Sequence, residues 1–290
     1  MPTTTRPQLV TTVAELRETL GAVRRRGKRI GLVPTMGALH EGHLSLVRAS
    51  TAECDYTVVS IYVNPSQFGP HEDLDEYPRT LRADLDALAG CAADLAFVPT
   101  NEEVYRAGHA TWVEVGSVAE PLEGRCRPGH FRGVATVVLK LLNMVQPETA
   151  YFGQKDYQQA LVIRRMAADL DVPTEIRVCP TVREPDGLAM SSRNAYLSPD
   201  ARRRAPVLYR SLQRAEQWVG QGERDAAKIT TQMREIIVEA EDARIDYVAL
   251  VDPETLEPVE TIRGPTLAAL AVRIEGTRLI DNHLLEINDE

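Results

Sequence analysis

His40 and His43 lie three residues apart in the segment Thr35-Met36-Gly37-Ala38-Leu39-His40-Glu41-Gly42-His43. The segment follows the apolar run Ile30-Gly31-Leu32-Val33-Pro34, which reads as a buried strand, and leads into a helix carrying Leu44, Leu46 and Val47. A helix start exposes unpaired backbone N–H groups and the positive end of the peptide dipoles, so anions collect there. Imidazoles at such a mouth add donors aimed at charge that develops during phosphoryl or nucleotidyl transfer. Gly37 and Gly42 allow close approach of backbone and ligand. Two histidines at i, i+3 also fit a metal, but HExxH is absent and no third ligand cluster is evident. No metal-binding residue is therefore expected.

Three further clusters are candidates, two for a nucleotide and one for a small polar substrate. Gly153-Gln154-Lys155-Asp156 sits at a second strand-to-helix junction, where Lys155 offers a point charge for phosphate and Asp156 either caps a helix or accepts from a ribose hydroxyl. Gly187-Leu188-Ala189-Met190-Ser191-Ser192-Arg193-Asn194 places two hydroxyls and a guanidinium in sequence, suited to wrapping phosphate oxygens, with Gly187 as a candidate hinge. Asn64-Pro65-Ser66-Gln67-Phe68 brings two amides, suited to a small substrate with hydroxyl and carboxylate groups. Arg125, Arg127, His130 and Arg132 form a basic segment that either binds anions or is simply solvated. The GxxxxGK[ST] and GxGxxG phosphate motifs are both absent.

The elements that must hold these groups follow from periodicity. Val13, Leu16, Leu20 and Val23 mark an amphipathic helix. Tyr56–Val63 reads as a strand covered on both faces. A helix over Tyr77–Leu88, a strand over Asp94–Val98, a helix over Phe131–Val145, a strand at Ala150–Phe152, a helix over Asp156–Leu170 and a strand over Glu175–Val178 complete the series. This alternation predicts a Rossmann-like doubly wound parallel sheet of the α/β class, with ligands beyond the carboxyl ends of its strands. The pattern changes at the turn-rich Arg183-Glu184-Pro185-Asp186-Gly187. Beyond it, helices over Pro199–Val219 and Glu223–Ala240 and strands over Ile245–Val251 and Leu267–Ile274 predict a smaller α+β domain. The expected division is 1–182 and 183–290.

The composition is that of a globular protein: 290 residues, 43% hydrophobic and 26% charged. A net charge of −9 argues against nucleic acid or anionic membrane as a partner, so any anionic substrate is held by a local basic cluster. Residues 1–6 lack the apolar core of a signal peptide, and no stretch approaches the roughly 20 apolar residues of a membrane span. The four cysteines, Cys54, Cys91, Cys126 and Cys179, have no CxxC pair and read as reduced thiols. A cytoplasmic location is expected.

As a set, these segments resemble the pantoate–β-alanine ligase family. The matching stretches are Val33 through His43, Asn64 through Phe68, Tyr77-Pro78-Arg79, Phe152 through Gln159, Met190 through Asn194 and Thr277 through Asn282, in family order over essentially the whole chain. His40 to His43 occupies the place of the HIGH-type signature of the nucleotidyltransferase superfamily, and Met190 to Arg193 that of its phosphate-gripping loop. The resemblance implies ATP-dependent condensation of pantoate with β-alanine, through a pantoyl adenylate, to pantothenate, AMP and pyrophosphate. It implies ATP, with Mg²⁺ offsetting phosphate charge, and a homodimer.

By the same resemblance, Met36, Gly37, Ala38, Leu39, His40, Glu41, Gly42 and His43 line ATP, with His43 donating to the phosphates in the transition state and His40 assisting. Gly153 and Asp156 belong at the ribose and Lys155 at the phosphates, with Gln154 also lining ATP. Val182 and Met190 contact adenine through backbone, while Ser191, Ser192 and Arg193 close over the triphosphate. Pro34, Met36, Gln67 and Gln159 face pantoate and β-alanine. Two departures stand out. Gln154 replaces a frequent Glu, and the acidic residues that some members use for Mg²⁺ are reduced to Ala83-Asp84. Two other readings compete: a nucleotidyltransferase acting on a phosphorylated acceptor, and a catalytically silent nucleotide-binding protein.

Overall fold

The computed structural model describes residues 6–70 and 72–287, so residues 1–5, on which the reading of the N-terminus rests, lie outside it. The chain divides into two compact units. The first runs to Gln154 and resumes over Gln158–Pro180; the second comprises Lys155–Tyr157 and the chain from Thr181 onwards.

In the first unit, β1 (Gln8–Val10), α1 (Val13–Arg25), β2 (Ile30–Thr35), α2 (Glu41–Glu53), β3 (Tyr56–Ile61), α3 (Leu81–Gly90) and β4 (Leu95–Phe97) come first. Two single-turn helices, α4 (Asn101–Val104) and α5 (Glu123–Cys126), precede α6 (His130–Val145), β5 (Thr149–Gly153), α7 (Tyr157–Asp169) and β6 (Glu175–Cys179). The sheet is parallel throughout, in the order β1-β4-β3-β2-β5-β6. The chain winds outwards from β2 to β3 and β4, then crosses back to β5 and β6. This is the doubly wound arrangement expected from the sequence.

Burial explains why these segments take these forms. β3 has an almost unbroken buried run because helices cover both faces of a parallel sheet. α1 buries Val13, Leu16, Leu20 and Val23 and starts at a capping box made by Thr12 and Glu15. The helix expected over Tyr77–Leu88 begins only at Leu81. Ahead of it, Pro78 disfavours a helical residue before it, and the Arg79 guanidinium is bound to the carbonyls of Leu74, Asp75 and Tyr77 at 3.3–3.5 Å.

α2 is seated on β2 at Gly31. A Cβ there would lie 2.1 Å from Ser50 Oγ of α2, a buried hydroxyl that bonds Thr57 Oγ1 on β3 at 2.8 Å. The missing side chain thus sets how closely the helix bearing the histidines approaches the sheet.

The second unit carries an antiparallel sheet, β7 (Arg244–Val251), β8 (Thr266–Ile274) and β9 (Thr277–Leu285), in that order. The single helix expected over Pro199–Val219 is two, α8 (Pro199–Arg204) and α9 (Val207–Gly220), because Pro206 has no N–H to continue the ladder. α10 (Ala226–Ile237) follows, with Asp225 as its cap. These elements share one apolar core containing Leu208, Leu212, Ile229, Met233, Leu270 and Leu285. Sequence pattern alone does not mark β9. Its burial does not alternate cleanly, since Asp281 and Asn282 are both buried polar residues.

Gly31→Ala is expected to destabilise the protein by about 1–3 kcal/mol through overpacking. Ser50→Ala in the same chain should recover part of that loss in urea unfolding, since it removes the atom at 2.1 Å.

Candidate active site

The first place to look for a ligand is the crevice where the winding reverses, beyond the carboxyl ends of β2 and β5. β2 pairs with β3 along its whole length to Thr35, but with β5 only at Gly31–Thr149 and Leu32–Ala150. The carboxyl halves of β2 and β5 therefore part. The histidine turn leaves β2 at this opening, and Gly153 and Gln154 end β5 beside it.

The turn is held by a buried carboxylate. Gly37 and Ala38 both take positive φ, 85° and 49°. Asp84, 2% exposed, accepts from Ala38 N at 3.2 Å, Leu39 N at 2.9 Å and Thr80 Oγ1 at 3.2 Å. Thr35 Oγ1 accepts from Gly37 N at 3.2 Å. Left-handed backbone at a non-glycine residue costs about 1–2 kcal/mol and persists only when its surroundings demand it. Asp84 supplies that demand.

The turn delivers His40 to the N-cap of α2. Gly42 N donates to His40 Nδ1 at 3.2 Å, and His40 N donates to His43 Nδ1 at 3.4 Å. The two rings lie 4.1 Å apart, centroid to centroid. An Nδ1 that accepts from an amide leaves the imidazole proton on Nε2. In this arrangement each ring proton sits on Nε2, at the positive end of the thirteen-residue helix α2. The Glu41 carboxylate is paired with Arg48 on the helix surface. Leu39 packs against the apolar cluster of Val33, Leu46 and Ile61.

The amide loop meets the turn. Gln67 Nε2 lies 3.1 Å from Met36 Sδ, which brings together two of the residues expected to face pantoate. Asn64 is differently placed. Its side chain is 1% exposed and committed to Ser66, Tyr105, Gly133 O and Gln67 Oε1. Of the adjacent glutamines on α7, Gln158 is buried and bonded to Glu123 N, Val118 O and Pro121 O, while Gln159 is half-buried. Pro34 is the half-exposed position of β2. A cleft of about 340 Å³ beyond β2, β3 and β4 is bordered by Met36, Gly37, Arg79, Thr80, Asp84 and Asn101.

The basic segment proves to be mostly internal. His130 is 8% exposed; its Nδ1–H donates to Gln67 O at 2.8 Å, and its Nε2 accepts from Arg127 at 3.1 Å. Arg127 grips Glu72 with two bonds of 2.6 Å. Burial, and then the Arg127 charge, bring the His130 pKa down to about 4. Burial alone would raise Glu72, but the Arg127 hydrogen bonds and charge outweigh it and bring the carboxyl down to about 2. Arg132 stacks on Trp112. The segment braces Gln67 from behind. No spacing rule finds such a chain, whose members are 55 and 63 residues apart.

The second unit holds the remaining candidates. Lys155 Nζ lies 3.6 Å from Asp156 Oδ1, and the Lys155 carbonyl accepts from Asn282 Nδ2 at 2.9 Å. Val182 O accepts from Met190 N at 3.0 Å and Arg183 bridges to Ala189, so the turn-rich linker is a knit hairpin. Gly187 has φ 94°, and a Cβ there would lie 2.2 Å from the Tyr209 ring. Both constraints require glycine, so a hinge is not needed to explain it. Ser191 caps the short 3-10 turn Ser192–Tyr196 by accepting from Arg193 N at 3.3 Å. Asn194 donates to Glu184 Oε1 and Ala189 O.

No cluster of three or more His, Cys, Asp or Glu able to hold a metal occurs among the described residues. Both oxygens of Asp84 are engaged by the histidine turn. These side chains do not make a protein cage for Mg²⁺.

A doubly wound sheet with a paired-imidazole helix N-terminus at its switch point fits the resemblance to the HIGH-type nucleotidyltransferase class. Within that class, a family model for pantoate–β-alanine ligase matches residues 8–284. The chain belongs to this family and is an AMP-forming ligase that makes a C–N bond. It is 55% identical to pantothenate synthetase of Moorella thermoacetica, over 97% of this chain and 100% of that protein. It is 54% identical to the Roseiflexus sp. RS-1 protein of the same name, over 96% and 99%. The crystal structure of pantothenate synthetase from Thermus thermophilus matches with a TM-score of 0.92 and 48% identity, covering 97% of this chain and all of that one. The Francisella tularensis pantoate–β-alanine ligase, solved with β,γ-ATP and β-alanine, matches with a TM-score of 0.79 and 33% identity over 96% and 97%.

His130 makes stability pH-dependent. Between pH about 6.5 and about 4 the unfolded chain binds a proton at this residue and the folded chain does not, so stability falls as pH drops. The loss amounts to at most about 3 kcal/mol. His130→Asn, which keeps a donor toward Gln67 O, should flatten this part of the curve in urea unfolding at pH 7, 6 and 5. Parallel curves for the two proteins would rule the residue out as the source.

Proposed function

We infer that the chain joins pantoate to β-alanine by first adenylating pantoate at the histidine turn. The observation that carries this reading is the pair of Nε2–H donors at the α2 N-terminus, beside the Met36–Gln67 contact. A carboxylate is unreactive toward an amine because its leaving group is poor. Attack of a pantoate carboxylate oxygen on the α-phosphorus of ATP expels pyrophosphate and leaves a mixed anhydride. The β-alanine amine then attacks the acyl carbon, AMP departs with the C–O electron pair, and the amine loses a proton to solvent. No strong general base is needed; the barrier is met by positioning and by donors aimed at charge on the phosphates.

In this reading His43 donates from Nε2 to the phosphates as pyrophosphate leaves, and His40 assists. Met36 through Gly42 and Gln154 line the nucleotide, with Gly153 and Asp156 at the ribose and Lys155 at the phosphates. Val182 and Met190 meet adenine through backbone, and Ser191, Ser192 and Arg193 bind phosphate oxygens. Pro34, Met36, Gln67 and Gln159 hold pantoate, with Gln67 oriented by His130, and leave room for β-alanine. ATP enters as its Mg²⁺ complex, the metal held by the nucleotide rather than by protein carboxylates. We assign the enzyme to the cytoplasm, in keeping with the lack of a disulfide among its four cysteines and with the absence, among the described residues, of any helix long and apolar enough to cross a membrane. We expect a homodimer, as the family resemblance implies.

The test is pantoate-dependent exchange of pyrophosphate into ATP in the absence of β-alanine, with AMP appearing only once β-alanine is added. Lack of exchange with pantoate, or exchange driven by a phosphorylated acceptor instead, would overturn the reading. His43→Ala should slow the exchange about 10²–10³-fold while leaving the unfolding midpoint within a few degrees.

A further inference from the structure

We propose that Asp281 and Asn282, consecutive on β9, are positioning residues for the nucleotide: Asn282 fixes the main chain at Lys155, and Asp281, through Arg183, fixes the hairpin that leads into Ser191–Arg193. The proposal rests on the assignment of Lys155 and Ser191–Arg193 to ATP made above.

Neighbouring residues on a strand face opposite ways, so one dipeptide can serve two loops. Asn282 donates from Nδ2 to the carbonyl of Lys155, 127 residues away, at 2.9 Å. A lysine places a charge through a long flexible stem, so its reach is set by where its backbone is held. An error of about 1 Å in such placement costs roughly 10² in rate.

On the other side, the Asp281 carboxylate is 3% exposed. It accepts from Arg183 Nη1 at 2.6 Å, Arg183 Nη2 at 3.0 Å and Asn282 N at 2.8 Å. Burial pushes its carboxyl up, and Arg183 opposes that shift. The Arg183 guanidinium also donates to Gly187 O at 3.1 Å and lies 3.9 Å from the centre of the Tyr209 ring. That ring fills the space a Gly187 side chain would take. The guanidinium therefore fixes the hairpin tip from two directions. Arg202 braces the same tip through Asp186 at 2.6 Å and Glu184 at 2.5 Å.

Stability alone does not account for this arrangement. A buried ion pair is often replaceable by apolar residues of similar volume without loss of stability, because desolvation offsets the attraction. What apolar side chains cannot supply is the directional, bidentate hold on a loop.

The experiment uses the full chain and measures pantoate-dependent ATP–pyrophosphate exchange, with ATP and pantoate varied separately, alongside thermal unfolding. The variants are Asn282→Leu, the double variant Arg183→Met/Asp281→Leu, and Leu285→Ala, a core residue of β9 that serves as a stability control. Asn282→Leu and the double variant are expected to lower kcat/KM for ATP about tenfold or more, with KM for pantoate within about twofold. The double variant should do so while unfolding near the wild-type temperature. Leu285→Ala should lower the unfolding temperature and leave both KM values unchanged. Wild-type kinetics for ATP in the folded double variant or in Asn282→Leu, or losses matching those of Leu285→Ala at equal unfolding temperature, would overturn the proposal. Lys155→Ala separates the two levels. If it exchanges at the wild-type rate, the ATP assignment itself fails. If it is inactive while Asn282→Leu is normal, only the positioning role fails.

Discussion

The active-site end of the first unit depends on one buried carboxylate. Asp84 takes the N–H groups of Ala38 and Leu39, and so holds two successive left-handed residues between β2 and α2. A turn of that shape reverses direction within a few residues and leaves His40 at the cap of α2 with its ring over the helix mouth. Without an acceptor there, two part-buried N–H groups would lose their partner, a cost of up to about 1–3 kcal/mol each. The imidazole geometry follows from the turn. Each Nδ1 is occupied by a backbone amide, so each Nε2 carries the proton. Asp84, the acidic residue kept after the Tyr77-Pro78-Arg79 segment, supports the histidine turn.

Similar economy governs the loop that carries Gln67. Its side chain lies between Asn64 and Met36. Asn64 ties the loop to α6, and a Cβ on Gly133 would lie 2.3 Å from Ser66 O, so that helix approaches as closely as backbone allows. The chain of Glu72, Arg127 and His130 ends on the Gln67 carbonyl. Every polar atom in it has a partner, which is what makes burial of two charges and an imidazole tolerable. The neutrality of His130 follows from burial and from facing a guanidinium.

Much of this is legible in the residues. The alternation of apolar strands and helices points to the parallel sheet, and the strand–histidine–helix junction to a turn at the N-terminus of α2, because both are local signals. Boundaries are less legible. Pro206 splits a helix whose apolar spacing runs straight through it, and the Tyr77–Arg79 stretch is held outside α3 by carbonyl contacts with residues just before it. β9 is hidden because its buried positions include an aspartate and an asparagine, which sequence patterns count as surface. Asn64 has the type of a substrate amide, yet it is consumed by Ser66, Tyr105 and Gly133.

The sequence by itself determined the sheet class, the motifs and their chemistry, since each depends on residues within a few positions of one another. Only the tertiary structure decided which polar residues are committed to one another across the fold. Asp84 with Leu39, His130 with Gln67, Arg183 with Asp281 and Asn282 with Lys155 are pairs separated by 45, 63, 98 and 127 residues. The physical reason is that a hydrogen bond acts over about 3 Å and its partner is chosen by the fold, not by the spacing in the chain.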